Sequence, residues 1–236
     1  MGKAVLAALA MAALAISQEK PHLEDRPSVR ASGEAVIQAK PDLARVDFGV
    51  TSQASTAQAA ATQNAQQLEA VLGALRKALG PSAEIKTVSY SLHPDYRYPK
   101  EGGKPQIVGY TATNIVQATT MDLPAVGKLI DAATQAGATN VQRLQFTLKD
   151  EQAVRAQALA EASKKARANA EAMAKALGLK VVRVLSASAG GGGVIPLQRE
   201  SMAMARMSAA DAAPTPIEAG TLEVRANVNL VLEVAQ

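Results

Sequence analysis

Residues 109–150, GYTATNIVQATTMDLPAVGKLIDAATQAGATNVQRLQFTLKD, pass from strand to helix to strand with almost no filler. Residues 107–119 are rich in Thr, Ile and Val, which fit a pleated, half-buried surface, and they read as a strand. Asp122 stands where a helix N-cap belongs, and Pro124 sits in the first turn. Val126, Leu129, Ile130 and Ala133 then recur at helical spacing until Gly137 stops the helix. Residues 141–149 return to a period of two, with Leu144, Phe146 and Leu148 on one face.

Working outward toward the N-terminus, residues 29–39 form a strand candidate closed by the turn signal Lys40-Pro41-Asp42. Residues 43–52 alternate. Ala44, Val46, Phe48 and Val50 take one side, while Arg45, Asp47, Gly49 and Thr51 take the other. The two strands are close enough in sequence to form a hairpin. In residues 55–79 Ala61, Ala65, Leu68, Leu72, Leu75 and Leu79 form one helical stripe, with Ser55 as candidate N-cap and Gly80-Pro81 as the stop. Residues 85–92 pair with 107–119, leaving residues 93–105, HPDYRYPKEGGKP, as a long hairpin tip.

Toward the C-terminus, residues 151–177 predict the longest helix. Its stripe is Leu159, Ala162, Ala166, Ala170, Met173 and Leu177, with Gly178 as C-cap. Asp150 and Glu151 suit the positive end of its dipole. Residues 181–186 predict a short apolar strand buried on both faces, and residues 189–216 a flexible Gly/Met/Ala/Pro loop. Leu222, Val224, Ala226, Val228, Leu230, Leu232 and Val234 alternate to the end. That strand is expected to be central or long, because an exposed edge of this kind invites aggregation. The order β-β-α-β-β-α-β-α-β-β defines an α+β protein of mixed, largely antiparallel sheets with three long helices. Two lobes are expected, one around the helix of residues 55–79 and the other around the helices that start near Asp122 and Glu151.

The ends and the composition bound the compartment. Lys3, the apolar run of residues 4–16, and small Ala15 and Ser17 before Gln18 read as a signal peptide over residues 1–17. That run is shorter than the ~20 apolar residues a membrane span needs. Residues 18–28 are polar and proline-punctuated, the pattern of a flexible mature N-terminus. The chain has 25 Lys and Arg against 21 Asp and Glu, a formal charge of +4. These charges are interspersed and not gathered into a basic stripe with aromatics, so nucleic acid is not an expected partner. With no cysteine, the chain has neither disulfide nor thiolate chemistry.

Four segments carry a family resemblance: residues 32–50 (SGEAVIQAKPDLARVDFGV), residues 109–150, residues 162–179 (ASKKARANAEAMAKALGL) and residues 217–234 (IEAGTLEVRANVNLVLEV). In order and spacing they resemble the SIMPL-domain family, the domain of unknown function 541. Residues 29–236 would form one SIMPL-type domain. The chain departs from the family pattern at Ala136-Gly137-Ala138-Thr139-Asn140 and at Ala219-Gly220. The resemblance implies an exported bacterial protein of the periplasm or envelope, with outer-membrane association as an option. It also implies homo-oligomers and a link to oxidative-stress tolerance. The family supplies no catalytic residues to carry over.

The residues themselves offer little chemistry. His22 lies in the N-terminal tail and His93 beside Asp95 in the hairpin tip; no second ligand stands at zinc-like spacing. Gly190 to Gly193 lacks the following Lys-Ser/Thr and the helix that a phosphate cradle requires. No Gly-x-Ser-x-Gly elbow is present. No catalytic residue and no cofactor are therefore expected, and the protein is expected not to be an enzyme. Tyr96, Arg97 and Tyr98 are candidate partner or oligomer contacts, because Tyr and Arg supply large contact area. Tyr90 and Tyr110 read as ladder residues. Met202, Met204 and Met207 could bind Cu(I) through soft thioethers or take up oxidant as sulfoxide. They could equally pack on the body or on a neighbouring subunit. The two function classes are thus a self-assembling envelope protein, and a periplasmic metal- or small-ligand-binding module that uses the Met-rich loop.

Overall fold

The computed structural model describes residues 26–80, 84–99, 102–190, 193–197 and 215–236. The expected signal peptide and the three methionines of the Met-rich loop lie outside these residues.

The elements run β1 (Ser28–Ala39), β2 (Leu43–Ala54), α1 (Ala57–Leu79), β3 (Glu84–Arg97), β4 (Gln106–Thr120), α2 (Val126–Gln135), β5 (Asn140–Thr147), α3 (Glu151–Ala176), β6 (Lys180–Gly190), β7 (Val194–Leu197) and β8 (Thr221–Ala235). The architecture is α+β, and every strand pairing among the described residues is antiparallel. One sheet has the order β1-β8-β6, with β7 also on β8; the other has the order β3-β4-β2-β5.

β1 and β2 do not form the hairpin their proximity in sequence predicts. β1 pairs along its length with β8, from Ser28 opposite Glu233 to Ala39 opposite Leu222. β2 lies between β4 and β5 in the other sheet. The turn at Lys40-Pro41-Asp42 hands the chain from one sheet to the other. Asp42 fastens this junction, with its N–H donating to the Thr147 carbonyl at 3.2 Å and its carboxylate accepting from the Lys149 N–H at 2.7 Å. The period of two is the same whichever strand is the neighbour, so alternation reveals a strand but not its partner.

α3 covers the β1-β8-β6 sheet through Ala158, Ala162, Ala166, Ala170 and Ala174, all buried. Stepping by four places these side chains on one face. The predicted stripe is turned slightly from this one, leaving Met173 and Leu177 exposed. Alanine lets the helix come close, and Gly33 on β1 completes the fit. A Cβ on Gly33 would overlap the Ala162 carbonyl oxygen and the Ala166 amide nitrogen. Asp150 caps the helix by accepting from the Ala153 N–H at 2.9 Å.

α1 and α2 together cover the other sheet. Val71, Leu75, Val126, Leu129 and Ala133 pack on Val46, Phe48, Val50 and Val116. α2 therefore packs with α1 and not with α3, and Leu148, just beyond β5, already belongs to the α3 core. Thr56, not Ser55, is the N-cap of α1, accepting from the Ala59 N–H at 3.2 Å. The buried stripe of α1 includes Asn64, which donates to the carbonyls of Val50 at 2.8 Å and Ala112 at 3.1 Å on adjacent strands.

Two further strands differ from expectation. β6 is an edge strand with bulges near Val182 and Leu185, and Val182 and Val184 are exposed, so it is not buried on both faces. β7 lies within the stretch read as loop and pairs with residues 221–224 of β8. β8 offers there a backbone edge that local composition does not announce. β8 itself is central, as its long apolar alternation predicts.

Candidate functional site

The β3–β4 hairpin outgrows its sheet. β2 ends at Ala54 opposite Tyr110. Beyond that rung Asp95 faces Gly109, Tyr96 faces Ile107 and Arg97 faces Gln106, so these strands have only each other. β3 is a sheet edge, which explains how Pro94 fits inside a strand without leaving a ladder donor missing. The expected long tip is therefore shorter than residues 93–105, because strand pairing continues to Arg97 and resumes at Gln106.

Alternation places Tyr90, Leu92, Pro94 and Tyr96 on one face of β3, the face that α1 covers farther down the sheet. α1 buries Ala112 and Asn114 of β4 but leaves their β3 partners, Leu92 and Tyr90, exposed. Tyr90 is 52% exposed, Tyr96 50%, Tyr98 71%, Ile107 50% and Val108 51%. Tyr90 and Tyr110 are both strand residues, opposite Asn114 and Pro94 respectively, so they do not stack on each other. A two-stranded ribbon is marginal in water by itself. On the opposite face the Thr111 hydroxyl donates to Asp95 at 2.8 and 3.0 Å, which stiffens the arm.

Among the described residues near the arm, no reaction centre is assembled. His93 is exposed in the strand opposite Thr111, and the carboxylate of Asp95 is engaged by the same threonine. Among the described residues no cluster of three or more His, Cys, Asp or Glu could hold a metal ion. Among the described residues, the one buried acid on the helix-free face of this sheet is Asp47. It accepts from Gln117 at 2.8 Å and lies 3.8 Å from Arg143. Hydrogen bonding from Lys164 holds Glu161 below the ordinary carboxylate range, and hydrogen bonding from Arg183 does the same for Glu233. Both are surface ion pairs of the α3 layer. Gly190 ends β6 opposite Asn227, and the next described element is a strand, not a helix.

The sequence singles out Tyr96, Arg97 and Tyr98; Leu92, Ile107 and Val108 are also exposed on this hairpin. Their signal was available in the apolar positions of 85–92 and 107–119 that lie beyond the reach of any helix. It becomes legible only when the end of β2 is known.

The chain belongs to the SIMPL family, described as a protein of unknown function (DUF541), whose pattern matches residues 29–232. It is similar to the 26 kDa periplasmic immunogenic protein of Brucella melitensis, 28% identical over 224 residues, covering 93% of this chain and 90% of that one. It is also similar to the uncharacterized protein YggE of Escherichia coli K12, 26% identical over 156 residues, covering 66% of this chain and 63% of the relative. The YggE of Edwardsiella ictaluri is 27% identical over 155 residues, covering 66% and 64%.

Proposed function

We propose that this protein is exported through its N-terminal leader, acts without catalysis in the periplasm, and self-assembles through the β3–β4 arm. Its two sheet–helix layers would serve as two lobes. Its role would be envelope maintenance or oxidative-stress tolerance. The periplasmic part is supported by the name of the Brucella relatives, which match almost the whole chain. The observation that carries the assembly reading is the two-stranded arm itself, with Tyr96, Tyr98, Ile107 and Val108 at least half exposed. Burying such aromatics contributes more to a contact than almost any other residue type.

Light scattering of the purified full chain is the test. The expected result is a particle of several chains that falls toward the monomer mass of 24.4 kDa in a Tyr96→Ser/Tyr98→Ser variant. A wild-type chain that stays monomeric at high concentration would remove the assembly proposal. Fractionation of cells expressing the full chain tests export separately, with recovery only from the cytoplasm counting against it.

A further inference from the structure

We propose that the helix-free face of the β3-β4-β2-β5 sheet carries, at the end where β2 and β3 begin, a binding site for a dianionic phosphoryl group such as that of a phosphate monoester.

Strand register builds the site. On this face Arg45 of β2 stands directly opposite Thr119 of β4, and Thr119 directly opposite Glu84 of β3. Lys86 occupies the next rung, opposite Gln117, which places it diagonal to Thr119 on the same face. Directly opposed side chains start about 5 Å apart and diagonal ones roughly 7–8 Å apart. An oxyanion seated over the Thr119 hydroxyl is therefore within reach of the Arg45 guanidinium from one neighbouring strand and of the Lys86 ammonium from the other. Lys149 adds a third cation. Its N–H is held by the Asp42 carboxylate at 2.7 Å, and it lines the same hollow as Arg45, Lys86 and Thr119. That hollow has a volume of about 340 Å³, enough for a phosphoryl group on a small organic body.

Unpaired surface cations are common in this chain; a half-buried one is not. Of the described lysines and arginines only Arg26 and Arg45 are less than exposed. Arg26 lies 3.7 Å from Glu233. Arg45, among the described residues, has no carboxylate oxygen within 4.0 Å. The next acid along its strand on this face, Asp47, is taken by Gln117 at 2.8 Å and by Arg143 at 3.8 Å. Glu84 stands two strands away, roughly 9–10 Å across the sheet. Half-burial leaves part of the hydration cost of the Arg45 charge uncompensated, and its planar fork matches two phosphoryl oxygens. The hollow sets three cations against one carboxylate. A surplus of two positive charges suits a phosphate monoester, which carries close to two negative charges near neutral pH.

Calorimetric titration of the full chain with glycerol 3-phosphate, near neutral pH and at fixed ionic strength, is expected to show saturable binding. Acetate at the same ionic strength should bind at least roughly tenfold more weakly. Arg45→Gln and Lys86→Gln should each weaken glycerol 3-phosphate roughly tenfold. Lys86 is exposed, so its variant keeps the test open if Arg45→Gln misfolds. Glu84→Gln should tighten binding, an effect that a merely structural role would not produce. Arg30→Gln removes the same charge from the other sheet and should leave the affinity intact. Phosphatidic acid vesicles, compared with phosphatidylcholine vesicles, distinguish the source of the phosphoryl group. Binding of glycerol 3-phosphate assigns a free ester, whereas binding to phosphatidic acid vesicles alone, weakened by Lys86→Gln, assigns a lipid headgroup. Saturable binding to neither, equal affinity for acetate, or a Lys86→Gln variant no weaker than Arg30→Gln would overturn the proposal.

Discussion

Gly33→Ala tests whether α3 is seated as closely as its alanine face implies. The added methyl would overlap the Ala162 carbonyl oxygen and the Ala166 amide nitrogen, and both are backbone atoms of the same helix. No side chain can swing aside, so either the helix lifts or β1 shifts. Lifting α3 would loosen five alanine contacts, each at a fully buried position. Overpacking of this kind costs about 1–3 kcal/mol. Replacing glycine inside a strand returns roughly 0.5–1 kcal/mol, so the expected net loss spans about 0–2.5 kcal/mol, toward the upper end because both clashing atoms are backbone. For a chain of this size each 1 kcal/mol lowers Tm by about 2–4 °C. Gly73→Ala is the internal control, because Gly73 lies within α1 and a Cβ there meets nothing within 4 Å. That variant should gain about 0.8–1 kcal/mol from helix propensity alone. Urea unfolding followed by far-UV circular dichroism, at one fixed protein concentration, reads both variants. A Gly33→Ala protein as stable as wild type, alongside the Gly73→Ala gain, would refute the close seating of α3 on β1.

Other expectations follow from single contacts. Asn64→Ala removes two hydrogen bonds that tie α1 to the Val50 and Ala112 carbonyls, and should cost about 1–3 kcal/mol in the same unfolding assay. Asp150→Ala removes the N-cap of α3, with an expected loss of about 0.5–2 kcal/mol. The hydrogen bond from Arg183 depresses the Glu233 carboxyl below its ordinary 4.5. Its stabilising contribution is therefore complete above that value and fades as the pH falls through the lower, folded-state value. Arg183→Gln should flatten this part of the acid dependence in unfolding curves recorded from neutral to low pH. An unchanged acid limb would show that the pair does not matter.

How much was legible in the sequence differs by level. The stretch at residues 109–150 gave its strand, helix and strand because each obeys a local rule. Thr, Ile and Val alternate, Asp122 caps, and Gly137 takes a positive φ of 110° to end the helix. The alternation of residues 222–234 likewise marked β8 as a strand that had to be covered. Tyr96 and Tyr98 were legible as exposed residues from their Pro- and Gly-rich surroundings.

Pairing was not legible. β1 joins β8 across nearly the whole chain, and β2 turns away into another sheet, because alternation carries no label for its neighbour. The exact buried face of α1 was missed because Asn64, polar by type, is buried where two strand carbonyls await its amide. The arm has the same origin. Where β2 stops decides which rungs of the hairpin stand alone. By itself the sequence determined every described element but β7, together with their order and their α+β class, since those depend on forces between near neighbours. Tertiary structure alone decided partners, edges and hollows, since those depend on which distant segments compete for the same backbone and the same apolar surface.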